Sequence, residues 1–253
     1  SYLSKKTIVH TFRQNDIANG GEGAPLTPIF HKLLVDKFNT EFPIVVLNIG
    51  GIANATYIEK KGSIKTGLDI GPGNCLIDQW MKKNSNKNYD ENGSTAKSGK
   101  INKIILNQAL DDWYNRLEEG DVFNKIKWHR SYDTSDFDLS FVRGLSLENG
   151  AATLTEYTSE IYSNFINNFC NPYPKKIIVC GGGRKNKFLI KSFEKKIKCG
   201  LDIIDKYGVN GDFIESQAFA YLAIRSYLKL PISFPETTGV HKPCTGGTII
   251  TNF

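Results

Sequence analysis

The stretch RQNDIANGGEGAPLTP, Arg13 to Pro28, sets one carboxylate, Asp16, ahead of three glycines in four positions and then Ala-Pro-Leu-Thr-Pro. Neither a helix nor a strand suits that density of glycine and proline, because glycine costs backbone entropy and proline removes a donor. Two readings are open: a tight connection with a solvated acid, or a catalytic loop. A general base sits where it can reach a substrate proton, usually on a loop held by rigid neighbours. With no nucleophile paired to it, Asp16 suits acid–base work on water or a hydroxyl.

Two further stretches suit phosphate and a flat ring. LDIGPGN, Leu68 to Asn74, puts Asp69 at the end of a buried strand, then Gly71, Pro72, Gly73 and Asn74 at a helix start. Such a junction is expected to present free backbone N–H groups and the positive end of a helix dipole to phosphate. Asp69 would hold Mg²⁺ or its waters beside it; the plain alternative is a glycine turn capped by an Asp. VCGGGRKN, Val179 to Asn186, repeats the arrangement with Gly181, Gly182 and Gly183, where a missing Cβ lets a ring approach the backbone. Its glycine spacing differs from the dinucleotide fingerprint. Two glycine-ended strands in one sheet strengthen each other, since ligands gather at the carboxyl ends of such strands. NIGGIAN, Asn48 to Asn54, reads equally well as a β-turn or a ligand contact. In GDFIESQAFAYLA, Asp212 and Glu215 have capping-box spacing, so capping is the preferred role for Glu215. His31 is expected on a helix surface, and the tryptophans and tyrosines in the core.

These residues need a scaffold. PIVVLNIGG, NATYIEKKG and SIKTGLDIG follow one another with loops too short for anything but antiparallel neighbours, a three-strand meander. A helix is expected over 74–83, an Asn- and Lys-rich loop after it, and helices over 101–118 and 151–169. A buried strand over 175–183, an amphipathic helix at KFLIKSFEKKI, a strand near 202–205 and a helix over 213–230, stopped by Pro231, complete the chain. That order predicts an α/β, ribonuclease-H-like fold: an antiparallel meander extended by parallel strands, helices on both faces. Residues 1–42 stand apart as the remnant of a preceding similar domain carrying the catalytic loop, and 43–253 form the second ribonuclease-H-like domain with a C-terminal tail.

Composition narrows the classes. The 253 residues are 40% hydrophobic and 23% charged, ordinary for a globular chain able to bury a core. No apolar run reaches the length of a membrane span. The opening SYLSKKTIVHTF lacks the apolar stretch and cleavage site of a secretory signal. Five cysteines without Cys-x-x-Cys spacing and only four histidines argue against a zinc cluster and for a reduced, cytoplasmic setting. The net charge of +6 is spread on lysines interleaved with acids, as in KSFEKKIKCG, which favours solvated helix faces over nucleic acid. The mild positive field suits small anionic substrates.

Taken in order, FRQNDIANGGEGAPLTPIFH, VVLNIGGIANATYI, GLDIGPGNCLIDQW, YDENGSTAKSG, LSLENGAATLTEYT, IIVCGGGRKN, GVNGDFIESQAFAYLA and the TTGVHKPCTGGTI segment resemble anhydro-N-acetylmuramic acid kinases over nearly the whole chain. That family belongs to the sugar-kinase, actin and heat-shock-chaperone superfamily, whose paired domains clamp ATP. The resemblance implies that Asp16 is the general base, activating a water that opens the 1,6-anhydro bridge, and that the released O6 takes the γ-phosphate of ATP to give N-acetylmuramic acid 6-phosphate in cell-wall recycling. It implies that Asp69, Gly71, Gly73 and Asn74 form the second phosphate motif and Gly181–Gly183 the adenosine motif. Glu215 matches an acid near the sugar pocket, with Arg13 and Gly21 as further sugar-side positions.

Two departures qualify this. The family's opening Gly-Thr-Ser-x-Asp-Gly turn is not in this sequence, so half of the nucleotide clamp is expected from elsewhere. The alternative is a non-catalytic fragment, or one half of a split kinase needing a partner chain. Exposed apolar surface where a first domain would dock makes a homodimer or a missing N-terminal partner segment the expected association. The segment KIKWHRSYDTSDF, 125–137, replaces an expected proline-rich lead-in and is placed at the cleft edge.

Overall fold

The computed structural model describes residues 5–118 and 131–251. The first half holds strand β1 (Ile8–His10), helices α1 (Gln14–Ala18) and α2 (Pro28–Lys37), strands β2 (Ile44–Ile49), β3 (Ile52–Lys60) and β4 (Ser63–Pro72), then helices α3 (Cys75–Asn84), α4 (Ser94–Ser98) and α5 (Lys103–Glu118). The second half holds helix α6 (Leu147–Asn164), strand β5 (Lys176–Cys180), helix α7 (Lys187–Glu194), strand β6 (Gly200–Ile203), helices α8 (Ile214–Tyr227) and α9 (Pro235–Thr238), and strand β7 (Thr248–Ile250).

Five strands form one sheet in the order β4-β3-β2-β5-β6. β2, β3 and β4 are antiparallel, while β5 joins β2 in parallel and β6 joins β5 in parallel. This is the ribonuclease-H-like order expected from the sequence. β2 is apolar almost throughout because both of its faces are covered. Val45, Leu47 and Ile49 pack under α3, α5, α6 and α7, whereas Ile44 and Val46 pack on the opposite face with Phe30 and Val35 of α2 and Ala218 of α8. Period-two alternation thus splits one strand between two cores.

Three expectations are corrected. His31 is fully buried, not on a helix surface; its Nδ1 lies 2.8 Å from Thr56 Oγ1 beneath the sheet. α6 starts four residues before the expected Ala151, because Ser146 caps it by accepting from the Asn149 N–H, and Gly150 inside the helix makes room for the Trp80 ring. α8 stops before the expected Leu230, where Lys229 turns to φ +56°. The Asn- and Lys-rich loop is also more ordered than its composition indicates: the buried Asp90 carboxylate accepts from Thr95 and Ala96 at 2.8 and 2.9 Å and so starts α4. β1 and β7 make a separate two-stranded sheet that joins the two ends of the chain.

Candidate active site

Asp16 sits on α1, and its carboxylate is 1% exposed. The following turn folds the chain back so that Gly23 donates its N–H to Oδ2 at 2.7 Å. Thr238, the last residue of α9, donates its hydroxyl to Oδ1 at 2.6 Å. A Cβ at Gly21 would collide with the carboxylate, so glycine is needed there for the side chain to tuck in. The solvated-acid reading is therefore wrong: Asp16 is buried and held at both oxygens. Beside it lies a small cavity of about 90 Å³ lined by Gly20, Glu22, Leu68 and Thr238. Gly21, expected at the sugar, has a steric task toward Asp16.

Arg13 braces this loop and faces the tip of β4 with its charge. Its Nη1 donates to the Gly23 carbonyl at 3.2 Å, and its charge acts on Asp69. Asp69 is buried, with Oδ2 accepting from the Tyr132 N–H at 3.1 Å. Burial pushes its carboxyl up to about 6, against the opposite pulls of the Tyr132 bond and the Arg13 charge. Directly across the antiparallel register stands Asn54, whose buried Oδ1 has no hydrogen-bond partner among the described residues. A carboxylate facing an orphaned amide oxygen is a set of hard oxygen donors, which fits Mg²⁺. Asp69 and Asn54 are the residues that would hold it.

The Gly-Pro-Gly junction behaves differently from its expectation. Gly73 and Asn74 donate their N–H groups to the Gly51 and Gly50 carbonyls, both at 2.8 Å, and Cys75 donates to Gly51 at 3.2 Å. These amides fasten the α3 start to the β2–β3 turn rather than standing free for phosphate. The NIGG turn thereby has a structural task. Gly71, at φ +145°, lies against Ile161 and Trp113.

The second glycine run does open on a cleft. Gly181 turns at φ +78° against Asn48 and Ile49, and Gly183 packs on the Ile49 side chain, so both serve the fold. Gly182 is different: a Cβ there would meet nothing nearer than Asn74 Nδ2 at 4.0 Å. It borders a cleft of about 640 Å³ together with Asn74, Asp78, Tyr89 and Asn186. The two strand tips marked by Asn74 and Gly182 therefore share one cavity, while the smaller one is lined by Thr238, which holds Asp16, and by Leu68, the neighbour of Asp69.

The 210–215 segment also corrects its reading. Asn210, not Asp212, supplies the cap, accepting from the Asp212 N–H at 3.0 Å. Asp212 and Asp205 instead hold the guanidinium of buried Arg184, at 2.8 and 2.7 Å. This pairing pins the Gly181–Lys185 turn to the start of α8. Glu215 is exposed on the first turn of α8, neither caps the helix nor lines either cavity. Of the 125–137 segment, 125–130 lie outside the described residues; Tyr132 places its amide on Asp69, which puts the remainder at the site edge.

A family model described as anhydro-N-acetylmuramic acid kinase matches residues 3–252. The chain belongs to this family. Relatives named anhydro-N-acetylmuramic acid kinase include one from Pelagibacter ubique (strain HTCC1062), 51% identical over 259 residues, covering all of this chain and 67% of that protein. Another, from Zymomonas mobilis subsp. mobilis (strain ATCC 31821 / ZM4 / CP4), is 39% identical over 97% of this chain and 64% of that protein. The chain thus spans about two thirds of the length of these kinases. Among solved structures, the activator of the 2-hydroxyisocaproyl-CoA dehydratase from Clostridium difficile with bound ADPNP aligns over 79% of this chain and 67% of that one, with 13% identity and a TM-score of 0.46. The span shared with the anhydro-N-acetylmuramic acid kinases includes Asp16, Asp69, Asn74, Gly182 and Thr238 alike.

Sequence reasoning missed Thr238, Asn54 and Tyr132. Thr238 was within a noted segment, but its partner lies 222 positions away, and no local pattern carries that distance. The Asn54–Asp69 pairing was recoverable from the meander once its register was known.

Proposed function

We propose that this chain serves an ATP-dependent kinase that opens the 1,6-anhydro ring of anhydro-N-acetylmuramic acid with water and phosphorylates the freed O6, giving N-acetylmuramic acid 6-phosphate in cytoplasmic cell-wall recycling. The observation that carries this reading is Asp16: one buried carboxylate, fixed at both oxygens, on a loop whose Arg13 charge acts on the acid at the tip of β4.

In this mechanism Asp16 takes a proton from a water as its oxygen bonds to C1 of the sugar and the C1–O6 bond breaks. O6 leaves with the bond pair and attacks the γ-phosphorus, so ADP departs and the proton held on Asp16 passes to solvent. The hydrogen bonds from Gly23 and Thr238 fix both oxygens and so aim the carboxylate, and a base needs that geometry to reach the proton it takes. Nucleotide lies in the cleft bordered by Asn74 and Gly182. Mg²⁺, when bound at Asp69 and Asn54, supplies charge neutralisation at the phosphates, the main requirement of phosphoryl transfer. Residues 1–42 carry the base and 43–253 the strand tips.

The coverage of about two thirds of the relatives' length favours one second reading: that catalysis needs further polypeptide to complete the ATP site. Exposed Ile224, Tyr227 and Leu228 at the end of α8 give such a segment, or a second copy, an apolar surface to meet. Among the described residues no helix is long and apolar enough to cross a membrane. The test is Asp16→Asn assayed with ATP, Mg²⁺ and the anhydro sugar, alone and with the part of a relative that lies outside the matched span supplied in trans. Turnover should fall by roughly 10²–10⁴-fold, the usual contribution of a general base, with ATP affinity unchanged. Undiminished turnover would show that another acid does the work.

A further inference from the structure

The 640 Å³ cleft holds two side chains that the fold does not explain. Asp78 is half-buried on α3, yet among the described residues no hydrogen bond or ion pair reaches its carboxylate. Burial raises it to about 6, and the charge of Lys82 one turn along pulls only partly the other way. A partly buried acid without a partner costs stability, and such groups in clefts mark functional positions. Tyr89 is the second: it is 58% exposed although both of its surroundings are anchored. Asp90 beside it caps α4, and the turn Glu91–Gly93 is wedged so tightly on α7 that a Cβ at Gly93 would strike Asn186 and Phe188. The ring is thus held at the cleft by a fixed neighbour while keeping its face open. Gly182, across the same cleft, has no steric or conformational need to be glycine.

The order along the cleft gives these groups separate tasks. Asn74, at the helix start, is on the strand-tip side; Asp78, four residues on, is displaced by about 6 Å along the helix axis. That is the scale of the step from a phosphate to a ribose. Carboxylates suit vicinal hydroxyls because they accept two hydrogen bonds, and aromatic faces suit nucleobases of any sequence.

We propose that Asp78 accepts the ribose hydroxyls and Tyr89 stacks on the base of a nucleoside triphosphate whose phosphates lie toward Asn74, with Gly182 leaving the space between them. This rests on the kinase reading and makes the site selective for ribonucleotides. The experiment titrates ATP, 2′-deoxyATP and tripolyphosphate, each with Mg²⁺, into the wild-type chain and into Asp78→Ala, Tyr89→Ala and Tyr89→Phe. Tyr89→Ala should weaken ATP and 2′-deoxyATP alike by roughly tenfold and leave tripolyphosphate unchanged, with Tyr89→Phe restoring affinity. Asp78→Ala should weaken ATP roughly tenfold and 2′-deoxyATP far less, because only the first loses a hydroxyl contact. Thermal unfolding of Asp78→Ala should be unchanged or raised, since an unpartnered acid is removed; a fall in melting temperature matching the lost affinity would assign Asp78 a structural role and overturn the proposal. Wild-type protein that binds no ATP, either alone or with the part of a relative outside the matched span supplied in trans, overturns this proposal and the nucleotide reading together. ATP binding that none of the variants alters overturns this proposal alone.

Discussion

The contact between Thr238 and Asp16 gives the sharpest test of how the base is built. Thr238→Val keeps the side-chain shape and β-branching but deletes the donor to Oδ1. The backbone tie survives, because Glu22 still donates its N–H to the Thr238 carbonyl at 2.9 Å. What is lost is a 2.6 Å bond to a buried carboxylate, and hydrogen bonds to charged groups are worth about 1.5–3 kcal/mol. Asp16 then keeps one fixed oxygen, through Gly23, and is free to rotate about that anchor. A misaimed base appears in the chemical step, so the expected outcome is a drop in kcat of roughly 10–100-fold with KM for the sugar nearly unchanged. Thr238→Ser retains the hydroxyl and should recover most of the loss. The assay is steady-state formation of the 6-phosphate, with thermal unfolding run on the same samples. Full kcat in Thr238→Val, or a Thr238→Ser variant as impaired as Thr238→Val, would refute the claim that this hydroxyl aims the carboxylate.

Two further outcomes follow from the packing. His31, lowered to about 4 by burial against an ordinary value of 6.5, is neutral in the folded chain over a range where the unfolded chain is protonated. Stability from this group is therefore present above about pH 6.5 and lost as the pH falls toward 4, by about 3 kcal/mol in all. Burial acts in the opposite sense on Asp69 and Asp78, so the group is isolated by comparing urea unfolding of wild type and His31→Asn at pH 7 and pH 4.5; a pH-independent difference would refute the burial argument. The three adjacent glycines should separate cleanly: Gly183→Ala should cost stability, because its Cβ would strike Ile49, while Gly182→Leu should melt normally and lose ATP binding. Equal melting of the two variants would contradict the assignment of Gly182 to the cleft.

The sheet was legible because its evidence is local. A continuous apolar run such as PIVVLNIGG can only be a strand covered on both faces, and links as short as GGIAN and KKGS leave no choice but a meander. Asp69 and Gly182 were legible as strand-tip residues for the same reason. Their neighbours were less so, since sequence alone treats Gly181, Gly182 and Gly183 as equivalent. The structure separates them by what a Cβ would touch, and that depends on Ile49 and Asn48 of another strand. Gly150 reads as a helix breaker because the partner that requires it, Trp80, is 70 positions away. His31 reads as a surface residue because nothing in PIFHKLLVDK says which side of the helix the sheet and α8 cover.

The chemistry at Asp16 shows the general form of this limit. A carboxylate between Gly23 and Thr238 needs one donor from its own loop and one from the far end of the chain. The first was foreseeable: a glycine-rich turn after a short helix brings backbone N–H groups back toward the helix. The second exists because α9 packs on β4 and its last carbonyl, that of Thr238, accepts the Glu22 N–H, which places α9 against the loop. A helix of four residues carries no readable periodicity, so the contact that completes the base is invisible until the fold is known. The same closure explains why the base is buried at all: the Thr238 end of α9 covers one side of α1, and the steric demand at Gly21 closes the other. A chain cut short of α9 would retain the loop and the strand tips but lose the donor to Oδ1, and by the reasoning for Thr238→Val it would hold a base that is present and misaimed.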